Sequence, residues 1–480
     1  MSIQFIKFGG KMLNVSIQLT ETGQPKYMQL FDYLKKLIAE GQLKTGEKLP
    51  AIRTFAEMLG VNNVTVINAY KQLENNKYIT AKKGSGYYVS GSRIHKEELF
   101  SSSDIGISDK AYIINFASAT PHPSIFPIES FKECINEVIE RDKGFAFGYQ
   151  ESKGFKPLRK SLLTYLDNKY SINMENEDNI QIVSGSQQGI DLIGKVLINP
   201  GDYVITENPT YDGAIAVFKS RGARVVGVNL EQDGIDLIDL EKKIRICKPK
   251  LIYVMTSFQN PTTVSYSSNK LKGLLSLAQK FNTYIVEDDS MSDLCYENKR
   301  PGTLKALDTK NEHVLYLKSF SKILMPGLRV GCMVIPDLLI RDFTKIKHAS
   351  DISSSGLIQR SLDRYFESGK WDEHHNYMRE IYKGKYEFML NKLEKLNSYG
   401  IKYNKPNGGL YFWIRVPKYM SAREIYNECK NKGLLLIPSS IFYDINNENR
   451  DNYIRLSFAS SDIEQIREGM TILEKCLIKN

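Results

Sequence analysis

The chain has 480 residues, of which 42% are apolar and 25% charged, enough for two or three globular domains around a large core. No apolar run approaches the length of a membrane span, and Met1–Gly10 alternates apolar and polar residues where a signal peptide would be continuously apolar. Six cysteines are scattered without a CxxC pair, which argues against a metal site or a disulfide scaffold and leads us to expect a cytoplasmic protein. The net charge of +10 is unevenly placed. Residues 1–95 hold thirteen Lys and Arg against six Asp and Glu, leaving +3 for the remaining 385 residues. A basic head on a nearly neutral body is the asymmetry expected where one domain meets a phosphate backbone, although a solvated basic surface would look the same by charge alone.

In chain order, residues 24–40 predict an amphipathic helix after Pro25, with Leu30, Phe31, Leu34, Leu37 and Ile38 on one stripe. Pro50 opens a second helix, Ile52 to Leu59, which Gly60 stops; Asn62 can cap a third that runs to about Asn75. Helix, short turn, helix is helix-turn-helix grammar. The β-prone runs Tyr78–Lys82 and Tyr87–Val89, joined by Lys83-Gly84-Ser85-Gly86, then predict a basic hairpin, a wing. A head over 15–90 and a Ser-rich flexible linker over 91–112 follow from this pattern, with Met12 an alternative start to Met1. From 113 to 480, apolar runs alternate with helical patterns: Ile180–Val183, Tyr203–Thr206, Arg224–Val228, Leu251–Thr256, Tyr284–Glu287, Val314–Leu317 and Val330–Val334. That alternation predicts an α/β domain with a large parallel or mixed sheet, followed by a small C-terminal α+β portion.

A recognition helix puts its first side chains at base edges. Here those are Asn62, Asn63 and Thr65; Arg53 can anchor a phosphate, and Lys82, Lys83, Gly84 and Ser85 can contact the backbone or minor groove. Asn62 as a helix cap alone is the plainer alternative. The stretches Pro25-Lys26-Tyr27-Met28-Gln29-Leu30, Gly46-Glu47-Lys48-Leu49-Pro50-Ala51-Ile52-Arg53, Leu59-Gly60-Val61, Thr65-Val66 and Gly84-Ser85-Gly86 resemble the winged helix of GntR-type regulators. Where that family often has Ser-Arg at the start of the recognition helix, this chain has Asn62-Asn63, so no operator sequence carries over.

Further on, Ser319-Phe320-Ser321-Lys322 follows a strand and precedes Pro326-Gly327-Leu328-Arg329-Val330-Gly331. Hydroxyls before a lysine and an arginine after it can converge on a dianionic phosphate, and a lysine of lowered pKa can capture an aldehyde. A lysine after a strand is by itself an ordinary surface residue; the flanking pattern carries the argument. Gly185-Ser186-Gln187-Gln188 opens a helix, whose N-terminal amides are a natural phosphate seat.

From about 113 to 475 the chain resembles fold-type I aminotransferases, the enzymes of pyridoxal 5'-phosphate. The resemblance implies that Lys322 bonds the cofactor's aldehyde as an internal aldimine, while Ser319, Ser321, Arg329, Ser186 and Gln187 hold its phosphate. It also implies that Tyr211 stacks on the ring, Asn260 bonds the phenolic oxygen, Asp288 pairs with the pyridine nitrogen and Arg455 grips a substrate α-carboxylate. Tyr149 matches a tyrosine that reaches the partner subunit's phosphate, which implies a homodimer. Three departures stand out. Ser290 and Met291 occupy positions where a tyrosine is common, Thr263 replaces the Gly of Asn-Pro-Thr-Gly, and Gly213 replaces an arginine of γ-aminobutyrate sensors.

A GntR-like head on an aminotransferase-like body resembles the MocR regulators. That implies a regulator of a double-stranded DNA operator, with an amino compound or B6 vitamer sensed by aldimine exchange at Lys322. Any turnover is then expected to be weak or limited to a half-reaction. The alternative is a working aminotransferase with an accessory DNA-binding head.

Overall fold

The computed structural model describes residues 4–8, 11–15, 25–39, 43, 46–75, 78–82, 85–90, 114–297, 300–443 and 451–478. The linker expected over 91–112 lies outside the described residues, as do Lys83 and Gly84. Two compact units form, Met1–Leu99 and Phe100–Asn480.

The head contains an antiparallel hairpin, β1 (Gln4–Phe8) and β2 (Lys11–Val15), then α1 (Lys26–Ala39), α2 (Ile52–Leu59) and α3 (Asn63–Asn75), and a second hairpin of β3 (Ile79–Lys82) and β4 (Gly86–Val89). The apolar stripe of α1 packs on Phe55, Val66, Ala69, Tyr70 and Leu73. Gly60, in the left-handed region at φ 62°, returns its N–H to Ala56 and Glu57 and ends α2. The Tyr70 hydroxyl donates to the Pro50 carbonyl at 2.9 Å and pins α3 against the entrance of α2.

In the body, β5 (Ile114–Asn115) precedes α4 (Ile128–Asp142) and α5 (Lys156–Tyr170). The alternation then runs β6 (Ile180–Val183), α6 (Ser186–Leu197), β7 (Tyr203–Asn208), α7 (Asp212–Ser220), β8 (Arg224–Glu231), β9 (Gly234–Ile235), α8 (Leu237–Cys247), β10 (Leu251–Val254), α9 (Ser268–Phe281), β11 (Tyr284–Asp289), α10 (Leu304–Leu307), β12 (Val314–Ser319) and β13 (Gly331–Val334). These strands form one sheet in the order β6-β13-β12-β11-β10-β7-β8-β9. All seven expected strands are present, with ends shifted by a few residues. The inner ones are buried on both faces, as continuous apolar runs require: Val204, Leu251, Tyr253 and Leu317 face one layer, and Ile205, Ile252, Val254 and Ile285 the other.

After α11 (Ile340–Asp351), α12 (Gly356–Glu367) and the long α13 (Lys370–Leu396) comes the small portion: β14 (Lys402–Tyr403), β15 (Tyr411–Arg415), α14 (Ala422–Asn431), β16 (Leu434–Leu435), β17 (Ile437–Pro438), β18 (Tyr453–Ser457) and α15 (Ile463–Leu477). Its sheet runs β14-β15-β18-β17, while β16 pairs with β5.

Strand direction decides where chemistry can gather. β7, β10, β11 and β12 are parallel, so their carboxyl ends share one edge; β13 is antiparallel to both β12 and β6, so it begins at the edge where they end. Loops leaving that edge form the crevice in which open α/β sheets bind ligands.

Candidate functional site

Every body residue singled out from the sequence except Tyr149 and Arg455 lies in a loop at that edge, at the strand end beside it or in the first turn of a helix that leaves it. Ser186 and Gln187 follow β6, Tyr211 follows β7, Asn260 follows β10, Asp288 is the penultimate residue of β11, Ser319 closes β12 with Ser321 and Lys322 beyond, and Arg329 precedes β13. Arg455 comes from β18 of the small sheet and meets them: its Nη1 donates to Asn260 Oδ1 at 2.7 Å.

Asp288 is buried. One carboxylate oxygen accepts the Tyr253 hydroxyl at 2.6 Å, while the other is buried with no hydrogen-bond partner among the described residues. Burial pushes this carboxyl up to about 6, against the pull of the Tyr253 hydrogen bond. Lys322 is half-buried and makes no hydrogen bond among the described residues. Burial, then the positive charge of Arg455, bring its amine down to about 8, against the attraction of Asp288. The site therefore holds an acid and an amine whose charged forms are both disfavoured, the condition for exchanging protons or bonds near neutral pH.

The Arg455 guanidinium is 1% exposed and sits 4.2 Å over the Tyr411 ring and 5.3 Å from that of Phe442. Its Nη2 donates to the Ala117 carbonyl at 2.7 Å, and its Nε has no partner among the described residues. At the phosphate seat, Gly185 is left-handed at φ 86°, and a Cβ there would stand 2.7 Å from the Arg329 guanidinium. Arg329 donates to the Ser184 carbonyl at 2.8 Å, and the Ser321 N–H to Ser319 Oγ at 3.3 Å. The Tyr211 hydroxyl donates to Gln187 Oε1 at 3.1 Å, which joins stacking candidate to seat.

The three departures acquire physical meaning. Thr263 is left-handed at φ 63°, so a position that suits glycine carries a β-branched residue. A Cβ at Gly213 would lie 2.5 Å from the Tyr211 ring, so an arginine there would displace it. Ser290 is half-buried and Met291 is buried, and neither supplies a phenol. Tyr149 is 84% exposed, beside exposed Phe145 and Phe147, and makes no hydrogen bond to the site among the described residues. Sequence reasoning missed Tyr253, Ala117, Tyr411 and Phe442. A tyrosine in the middle of a doubly buried strand, needing a hydroxyl partner, was the one usable signal for Tyr253.

In the head, Asn62 Oδ1 accepts the Val64 N–H at 3.0 Å, so this side chain caps α3. Asn63 is exposed and Thr65 half-buried in the first turn of α3, and Arg53 is exposed on α2. On the wing, Lys82 Nζ stands 4.7 Å and Lys48 Nζ 5.8 Å over the Tyr88 ring, whose hydroxyl meets Ser85 Oγ at 2.6 Å. No described helix is long and apolar enough to cross a membrane, and no metal-ligand cluster occurs among the described residues.

Residues 113–473 match the family Aminotransferase class I and II, and residues 26–89 match the bacterial regulatory proteins of the gntR family. The chain belongs to the aminotransferase class I and II family. With its gntR-family head it has the architecture of a MocR-type transcription regulator. The uncharacterized HTH-type transcriptional regulator YdfD of Bacillus subtilis is 30% identical over 93% of this chain and 95% of its own length. Aromatic-amino-acid aminotransferase 1 of Thermococcus litoralis is 34% identical over 76% of this chain and 88% of its own. Among solved structures, the kynurenine aminotransferase of Pyrococcus horikoshii matches with a TM-score of 0.72 at 32% identity, covering 79% of this chain and 97% of that one. LysN of Thermus thermophilus, an α-aminoadipate aminotransferase complexed with N-(5'-phosphopyridoxyl)-L-leucine, matches at 0.71 and 30%, with the same coverage. The relative that spans the head is named as a regulator, and those that span only the body as aminotransferases.

Proposed function

We propose that this MocR-type chain is a cytoplasmic regulator that binds pyridoxal 5'-phosphate, acts as a homodimer on a double-stranded operator, and responds to an amino compound or B6 vitamer at Lys322. The single observation that carries the reading is the bare buried oxygen of Asp288 in the same crevice as the unpartnered amine of Lys322. A buried carboxylate oxygen without a donor is costly unless a ligand supplies one, and a pyridinium N–H is such a donor.

The residues present fit that cofactor. Asp288 would take the ring nitrogen and Tyr211 the ring face. Asn260 would take the phenolic oxygen, and Ser186, Gln187, Ser319, Ser321 and Arg329 the phosphate. When bound, it supplies an aldehyde for which Lys322 and an incoming amine compete. Arg455 favours an amine that also bears a carboxylate, because its unpartnered Nε and its Asn260-bound Nη1 can turn to an anion. The exposed Phe145, Phe147 and Tyr149 are consistent with a partner subunit on that face, which would bring Tyr149 to a neighbouring site. In the head, Asn63, Thr65 and Arg53, with Lys82, Lys83, Gly84 and Ser85 on the wing, would contact DNA, and Asn62 would serve chiefly as the cap.

The test is an absorbance titration of the purified chain with pyridoxal phosphate, then with amino acids, amines and vitamers, alongside DNA retention at moderate salt. A visible cofactor band, lost in Lys322→Ala, and DNA affinity that changes with one amine are expected. Steady formation of a 2-oxo acid with no DNA retention would replace the regulator with the aminotransferase alternative.

A further inference from the structure

We infer that Gln259 is a positioning residue that locks the loop carrying Tyr211 to the loop carrying Asn260, and thereby fixes how the cofactor ring is held between them; this rests on the cofactor reading above. Gln259 is wholly buried, and its side chain faces both ways. Its Nε2 donates to the Pro209 carbonyl at 2.8 Å, two residues before Tyr211, and to Glu207 Oε2 at 2.9 Å. Its Oε1 accepts the Thr262 N–H at 2.9 Å and the Thr262 hydroxyl at 2.6 Å, two residues beyond Asn260.

Glu207 anchors the tie from below. Its carboxylate is 1% exposed and also accepts the Tyr266 hydroxyl at 2.8 Å, the Met255 N–H at 3.1 Å and the Thr210 hydroxyl at 3.4 Å. The tie reaches the small sheet at two points. Thr210 donates its N–H to the Phe442 carbonyl at 3.2 Å, and Asn260 accepts Arg455. One buried amide thus stands where the stacking ring, the phenolic-oxygen donor and the carboxylate grip are joined. An apolar side chain of the same volume would fill the core equally well, so packing alone does not call for an amide with every donor and acceptor engaged.

The experiment compares the full-length wild type with Gln259→Leu and Tyr266→Phe. Both variants deprive buried Glu207 of one donor, but only the first cuts the tie between the loops. The measurements are thermal unfolding without cofactor, the Kd for pyridoxal phosphate by absorbance, and the visible circular dichroism per bound cofactor, which reports how rigidly the ring is held. Both variants should lose stability, Gln259→Leu the more, because it also leaves the Pro209 carbonyl and the Thr262 N–H and hydroxyl without their partner. Gln259→Leu alone should weaken binding by about tenfold and at least halve the dichroism.

Parallel changes in both variants, or wild-type binding and dichroism in Gln259→Leu, would overturn the positioning role. Should Gln259→Leu not fold, Thr262→Val removes the hydroxyl bond of one arm while its N–H bond stays; a smaller change in the same direction supports the inference, and none overturns it. Absence of a visible band in the wild type would instead remove the cofactor reading, and this inference with it.

Discussion

Two lysines four residues apart, one buried and one half-buried, stand in opposite conditions. Lys318, on β12, is enclosed: its ammonium bonds Asp293 at 2.8 Å, Ser292 at 2.8 Å, Tyr170 at 3.0 Å and Asp289 at 3.2 Å. Burial opposes its charge, yet Asp289 and Asp293 hold its pKa well above the usual lysine range. Asp289 in turn accepts Ser292, Tyr316 and two backbone N–H groups. Among the described residues the side chains of Lys322 and Asp288 have a single hydrogen bond in total, that from the Tyr253 hydroxyl to Asp288. Backbone strain divides the same way. Phe258 and Thr263, which bracket Asn260, and Arg329 are left-handed without being glycine, whereas Lys318, Asp289, Ser292 and Asp293 are not. A satisfied buried charge is architecture; one left short of partners, on a strained frame, marks where a ligand is expected.

The comparison is broken most severely by Lys318→Met. It leaves Asp289 and Asp293 buried without a cation, and a loss of about 3–5 kcal/mol is expected in urea unfolding of the cofactor-free chain. Lys322→Met should move the other way. Its amine is depressed from 10.5 to about 8, so folding below pH 8 carries the full cost of a charged amine taken partly out of water, a cost that fades as pH rises from 8 and is gone above about 10.5. Removing it should stabilise the chain at pH 7 by on the order of 2–3 kcal/mol, with the gain vanishing toward pH 10.5. Destabilisation by both substitutions at pH 7 would mean that Lys322 is as much architecture as Lys318.

Part of this division was legible in the sequence. Doubly buried strands are written as continuous apolar runs bounded by Gly, Pro and Asn, so the sheet and its ligand edge could be placed. Lys322, Asp288 and Arg455 stand out as candidates because their flanking residues form motifs. The partners that give them their character were not legible. Tyr253 lies 35 residues from Asp288, and Asn260 lies 195 from Arg455. Strands buried on both faces show no alternation that would tell which way a tyrosine or lysine points. The motif marks Lys322, but nothing around Lys318 in the chain shows that it is buried against two carboxylates; that is settled only by the fold.

A smaller effect tests the Asp288 side. Tyr253→Phe strips the remaining donor from Asp288 and should cost about 1–2 kcal/mol at pH 7. Since the folded carboxyl is already raised to about 6, its proton is retained at pH 5, and the penalty should shrink there. An equal cost at both pH values would mean that the hydroxyl supports packing and not the carboxylate's charge.

The smallest expected effect bears on strain. At φ 63° Thr263 forgoes roughly 1–2 kcal/mol that glycine would not, while glycine returns about 0.5–1 kcal/mol through the freedom of the unfolded chain. Thr263→Gly should therefore raise the thermal midpoint slightly, by under about 1 kcal/mol in stability, even though the Thr263 hydroxyl bond to the Thr262 carbonyl is lost. In the enclosed layer, Ser292→Gly should lower it by about 1–3 kcal/mol, because Lys318 loses an acceptor and Asp289 a donor. Opposite signs at the two positions would place the strain in the open layer. A loss at Thr263 would instead show that the hydroxyl, and not the backbone, decides which residue this turn requires.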